Sequence, residues 1–181
     1  MSQTLYVLVY PSRLFAAHWS FWLPRIEEAS GRELDIGDRV HVTGDRLNGF
    51  RYEYVRDYNV SEDDRNPKAF AIGLVPNTLL CEKTGNTHGI ASNGETDDHN
   101  VINAFDRACR EIQAPGPSLA KVDMASVGRT ANPPRRTEVR DCQWWLKQAA
   151  VHLTQAGMLL PLDATRGSWS PTERVEQLPR H

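Results

Sequence analysis

"HWSFWLP", His18 to Pro24, decides how this chain folds. It is short, aromatic and closed by a proline, with no helical spacing of its apolar residues, so it reads as a strand. Period-two alternation puts His18, Ser20 and Trp22 on one face and Trp19, Phe21 and Leu23 on the other.

The segments on either side follow the same pattern. "TLYVLVY" (Thr4 to Tyr10) is rich in Val, Leu and Tyr and reads as a buried strand, with "PSRLFAA" turning the chain after it. Downstream, the charged "RIEEASGRELDIGD" with Gly31 and Gly37 reads as a solvated connection. "DRVHVTGD" (Asp38 to Asp45) is a strand with Val40 and Val42 on one face and Arg39, His41 and Thr43 on the other. Asn48-Gly49 marks a turn into "GFRYEYVRDYNV" (Gly49 to Val60), and "AFAIGLVP" (Ala69 to Pro76) is a further short strand after a polar break.

Helical spacing appears only later. Asn77 to Asp98 is polar and turn-rich and reads as a surface loop. Val101, Ile102, Phe105, Ala108 and Ile112 recur at helical intervals, with Thr96 as a candidate cap, and "QAPGPSL" ends that helix. "GRTANPPRR" is non-regular. In "DCQWWLKQAAVHLTQAGML" Asp141 is a good N-cap, and Cys142, Leu146, Ala149, Ala150 and Leu153 share one face. Gly157 suits the position after the helix, and Pro161 prevents continuation.

Strands first and helices after predict an α+β domain, an antiparallel sheet from the N-terminal half packed against two C-terminal helices. Residues 1–165 read as one domain and 166–181 as a tail with at most a short turn.

Composition bounds the function. The chain has 181 residues, 40% apolar and 24% charged, which is globular composition with room for one core. A net charge of −2 gives no basic field for nucleic acid. "TLYVLVY" is too short to span a membrane and carries no signal-peptide pattern, so a cytoplasmic protein is expected. The three cysteines form no CxxC pair, and no metal or cofactor motif is present.

Cys142 is the candidate for chemistry. Cysteines on apolar stripes are mostly core. At a helix start, however, free backbone N–H groups and the helix dipole stabilise a thiolate. A thiol nucleophile needs a base, usually histidine. Of six histidines, His181 is terminal, His88 and His99 lie in polar sequence, and His152 is nearly three turns along the helix. His18 and His41, each inside a predicted strand, remain.

In this order, "HWSFWLP", "RVHVTGD" and "DCQWWLKQAAVHLTQAGML" resemble the circularly permuted papain-like thiol enzymes of the lecithin retinol acyltransferase branch. The "HW", "HVTGD", "APGPSL" and "CQ-W" blocks are also similar to those of small fungal proteins. The resemblance implies a permuted papain-like fold in which His18 is the general base, His41 its orienting partner and Cys142 the nucleophile. Gln143, Trp19 and Trp145 would lie on the oxyanion and substrate side. Asp141 stands where those acyltransferases carry asparagine, and no C-terminal membrane helix follows.

The expected function is then thiol-dependent acyl transfer, as a hydrolase or acyltransferase on an amide, ester or thioester, within small-molecule biosynthesis. The substrate would be a small molecule or an acyl or peptidyl group, with no metal and no cofactor. Two alternatives stand beside it. One is a non-catalytic small-molecule or protein-binding domain on the same fold. The other is a biosynthetic enzyme in which the histidines do acid–base work and Cys142 is a bystander.

Overall fold

The structure is a computed structural model and describes residues 1–12, 16–81, 101–118, 139–163 and 168–181. The strands are β1 (Ser2–Tyr10), β2 (His18–Ile26), β3 (Glu33–Asp45), β4 (Gly49–Asn59) and β5 (Lys68–Pro76), in spatial order β4-β3-β2-β1-β5. Every neighbouring pair is antiparallel. The helices are α1 (Ala104–Arg110), α2 (Cys142–Gln155) and α3 (Pro171–Glu176). The α+β class and antiparallel sheet match the reading of the sequence.

All three helices cover one face of the sheet. Leu5, Val7 and Val9 of β1, Trp19, Phe21 and Leu23 of β2, and Val40 and Val42 of β3 share one core with Phe105, Trp145, Leu146, Leu153 and Val175. The other face holds a smaller cluster of Leu8, Tyr10 and Trp22, with Tyr6, Tyr58 and Val60 packed against it. Two of the three inner strands, β1 and β2, are therefore covered on both sides, which is why they are apolar almost throughout.

β4 and β5 lie at opposite edges, so residues 60–67 must cross the sheet. Four strand spacings are about 19 Å, and eight extended residues reach about 27 Å. They cross on the face away from the helices, since Val60 joins the Leu8–Tyr10–Trp22 cluster and the Arg65 guanidinium lies 4.4 Å from the centroid of the Tyr10 ring. At the end of β4 a bulge opposite β3, with Asp57 at φ 52°, bends Tyr58 toward the same cluster.

Local chemistry explains the turns and caps. Asp45 Oδ1 accepts from the backbone N–H groups of Leu47 and Asn48, closing the β3–β4 hairpin. Gly44, at φ 138°, leaves no room for a side chain, since a Cβ would sit 2.2 Å from the Gly49 carbonyl oxygen. Asp141 caps α2 by accepting from the Gln143 and Trp144 N–H groups, and Gly157 follows the helix at φ 68°, as expected. The earlier helix is shorter than its apolar spacing suggested. Asn103 caps α1 by accepting from the Asp106 N–H, and Thr96 lies outside the described residues. So do most of the expected 77–98 loop and the "GRTANPPRR" segment.

The C-terminal segment corrects the expected domain boundary. Ser170 and Glu173 form a capping box with Pro171 in the first turn, and α3 docks Val175 and Leu178 into the core. Beyond it, Pro179 O accepts from Trp19 Nε1 at 3.0 Å, and Arg180 O accepts from the Ala17 N–H at 2.9 Å. Residues 168–181 belong to the domain, because they close the end of β2 and fill the helix layer.

Candidate functional site

His18 and His41 meet. His18 lies opposite Tyr10 in the β1–β2 pair, and His41 lies on the same face of β3 as Arg39. His18 Nε2 and His41 Nδ1 are 2.9 Å apart, with the rings edge to face at 5.0 Å between centroids. The other nitrogen of His41, Nε2, is 3.0 Å from Arg39 Nη2. Arg39 Nη1 donates to Tyr10 OH at 3.2 Å; Tyr10 OH is 3.0 Å from Tyr58 OH, which donates to Asp63. Arg39 thus stands at the fork of two hydrogen-bond chains, one ending at His18 and one at Asp63.

A guanidinium only donates, which sets the tautomers. Arg39 gives its N–H to His41 Nε2, so His41 carries its hydrogen on Nδ1 and donates it to His18 Nε2. His18 then holds its own hydrogen on Nδ1, at the half-buried end of the array. Glu53 Oε2 stands 3.2 Å from the same His41 Nε2, while Glu53 Oε1 is held by Arg51. If Glu53 accepts from His41 Nε2 instead, both rings reverse and His18 presents a lone pair at Nδ1.

The surroundings keep both imidazoles neutral. Burial is the largest cause, followed by the charge of Arg39, and together with Arg65 they lower His18 to about 4. His41 is lowered to about 2 by burial, Arg39, His18 and Arg65. Asp63 offsets the nearby Arg65, which holds the Asp63 carboxyl well below its ordinary range.

Cys142 is not part of this array. Cys142 packs with Trp19 in the core under the helices, and its thiol accepts from the backbone N–H of Trp19, the residue that follows His18. The thiol receives backbone N–H groups of Trp19, Gln143 and Cys142 itself, yet burial dominates, with Asp141 adding to it, and pushes the thiol up to about 11. No described imidazole hydrogen-bonds to it. The His18 ring spends its Nε2 on His41 Nδ1, and among the described residues no hydrogen bond joins it to the thiol.

The remaining expected site residues are buried and bonded within the fold. Trp19 and Trp145 are 0% exposed, and Trp145 Nε1 donates to Ile112 O at 2.9 Å. Gln143 Nε2 donates to the carbonyls of Ala17 and Arg180, at 2.8 and 3.1 Å, so its amide is committed to holding the C-terminus. The sequence reading missed Tyr10, Arg39, Tyr58 and Glu53. Arg39 and His41 shared a predicted face, which was the available signal; Tyr58 and Asp63 reach the site only through the bulge and the crossing segment.

The thiols make a direct check. Cys81 is exposed, and Cys109 and Cys142 are buried, all three free. Iodoacetamide near neutral pH should add one adduct, at Cys81, with Cys109 and Cys142 reacting only after denaturation. Rapid native labelling of Cys142 would show an activated thiol.

Fold and site together define an α+β protein with one antiparallel sheet, helices on one face and a histidine–arginine–tyrosine array on the other. The chain belongs to DUF6540, a family of unknown function, whose sequence profile matches residues 5–160. No curated protein and no solved structure matches the chain. The family match ends before α3, although the core continues to Leu178.

Proposed function

We propose that the protein is an acid–base catalyst for a small-molecule substrate, with His18 meeting the substrate and His41 positioning it. The observation that carries this reading is the 2.9 Å His18–His41 hydrogen bond, anchored at its far end by Arg39. A ring held through one nitrogen presents the other in a fixed direction, the role an orienting group plays beside a catalytic histidine.

With Arg39 holding His41, His18 offers a neutral Nδ1–H. Such a group donates to a carbonyl oxygen and stabilises negative charge growing there. Its low basicity keeps it neutral across the physiological range, which suits electrophilic action. With Glu53 holding His41, the same ring offers a lone pair and takes a proton. Either arrangement has the same net charge, so both are within reach of one site. Acyl transfer through Cys142 is the second reading: its thiol lies at the backbone N–H next to His18, but among the described residues no hydrogen bond joins it to an imidazole.

The test is a panel of small ketones, lactones, esters and keto acids, followed by mass spectrometry and by deuterium uptake from heavy water. Wild-type protein and Cys142→Ala should process the same compounds. His18→Ala should lose about 10²- to 10⁴-fold in rate, the usual contribution of a positioned acid–base group. Turnover that dies in Cys142→Ala and survives in His18→Ala would return the protein to thiol chemistry. A panel untouched by the wild type would remove the catalytic reading.

A further inference from the structure

We infer that the face of the sheet carrying His18 and Arg39 binds a small organic carboxylate, held by Arg39 with Ser20 and Trp22 as the neighbouring donors. The inference rests on the reading of this face as the functional site and names the class of molecule it takes.

The first observation is a buried cation with no anion against it. Arg39 is 9% exposed. Its contacts are all neutral: Tyr10 OH, His41 Nε2 and the face of the Tyr58 ring, 4.5 Å from the guanidinium carbon. The carboxylates on this side are engaged elsewhere, Asp63 with Arg65 and Tyr58, and Glu53 with Arg51 and His41. Among the described residues none forms an ion pair with Arg39. A buried guanidinium without a counter-charge is costly, and an anionic ligand would supply the missing charge.

The second observation is independent of charge. Arg39 Nε, Ser20 Oγ and Trp22 Nε1 are all buried and make no hydrogen bond. Ser20 and Trp22 are 0% and 6% exposed. Trp22 pairs with Arg39 across β2 and β3, and Ser20 lies one pleat along the same face, between Trp22 and His18. Orphaned buried donors are rare and call for a partner. Here the three residues share one face of the neighbouring strands β2 and β3, and each can donate to an oxygen. Two Nη groups of Arg39 already serve Tyr10 and His41, so what remains is one edge of the fork. A planar carboxylate fits such an edge, with its second oxygen free for the indole N–H or the hydroxyl. A phosphate, with more oxygens and more charge, asks for more cations than Arg39 alone supplies at this position.

The placement also joins binding to chemistry. A carboxylate against Arg39 brings the rest of the molecule toward His18, at the open end of the same array. Its negative charge would oppose the Arg39 field that now depresses both imidazoles.

The experiment is calorimetric titration of the full chain with acetate, propionate, pyruvate and benzoate, against phosphate and chloride at equal ionic strength. At least one carboxylate should bind and shift the imidazole NMR signals of His18, with phosphate and chloride silent. Arg39→Met should weaken that binding about 30-fold or more, and Trp22→Phe about tenfold, the usual loss when a donor to a charged group is removed. Trp22→Phe keeps the ring and guards against a misfolded Arg39 variant. No heat with any carboxylate would mean that water alone serves these donors, and the inference would fall. Equal binding in both variants, or phosphate in place of carboxylate, would also overturn it. Carboxylate binding without His18-dependent turnover would leave the inference standing and remove the catalytic reading; turnover on uncharged compounds without carboxylate binding would do the reverse.

Discussion

A chain ending before Ser168 is expected to lose about 5 kcal/mol or more of folding stability, most of what a domain of this size has. The loss has two parts. Val175 and Leu178 are 1% and 6% exposed, and burying such side chains is worth about 1.5–3 kcal/mol each. The backbone beyond α3 also accepts three hydrogen bonds, from Trp19 Nε1, the Ala17 N–H and Gln143 Nε2. Trp19 is fully buried, so its indole N–H would be left without an acceptor, at about 1–3 kcal/mol. Urea titration of the deletion beside the full chain measures this. The single change Leu178→Ala should cost about 2–4 kcal/mol by the same logic. A deletion within about 1 kcal/mol of the full chain would show that α3 contributes little in solution.

Acid should destabilise the protein through its paired histidines. Their ordinary value is 6.5, and in the folded state His18 falls to about 4 and His41 to about 2. Well above pH 6.5, from about pH 7.5, both are neutral whether the chain is folded or not, so neither adds a pH slope. As pH falls below that, the unfolded chain takes up two protons that the folded chain refuses, and stability drops. From pH 7.5 to 5 the loss is about 2 kcal/mol per histidine, or about 4 kcal/mol for the pair. The slope should flatten in His18→Gln/His41→Gln, in which neither position can be charged. Denaturation midpoints for the two proteins across that range decide it, and parallel curves would mean that the imidazoles are not desolvated in solution.

The same pair of histidines shows what could be read from the chain and what could not. Alternation in "HWSFWLP" and "DRVHVTGD" put His18 apart from Trp19 and His41 together with Arg39, and both relations hold in the folded protein. The Asp141 cap, Gly157 after the helix and the apolar stripe of α2 were equally legible, because each is set by residues within a few positions of one another. Period two separates the faces of a strand without saying which face a helix will cover. That choice fell to packing: Trp19, Phe21, Val40 and Val42 outcompete the face carrying the two histidines for the helix layer, and Cys142 goes with them. The partners of Arg39 were hidden for a related reason. Tyr10, Tyr58 and Asp63 converge only because β5 joins the far edge of the sheet and residues 60–67 must cross to reach it. The C-terminal segment, too polar to show a stripe of its own, was decided by the end of β2, whose Trp19 and Ala17 N–H groups needed acceptors that only the tertiary structure could bring to them.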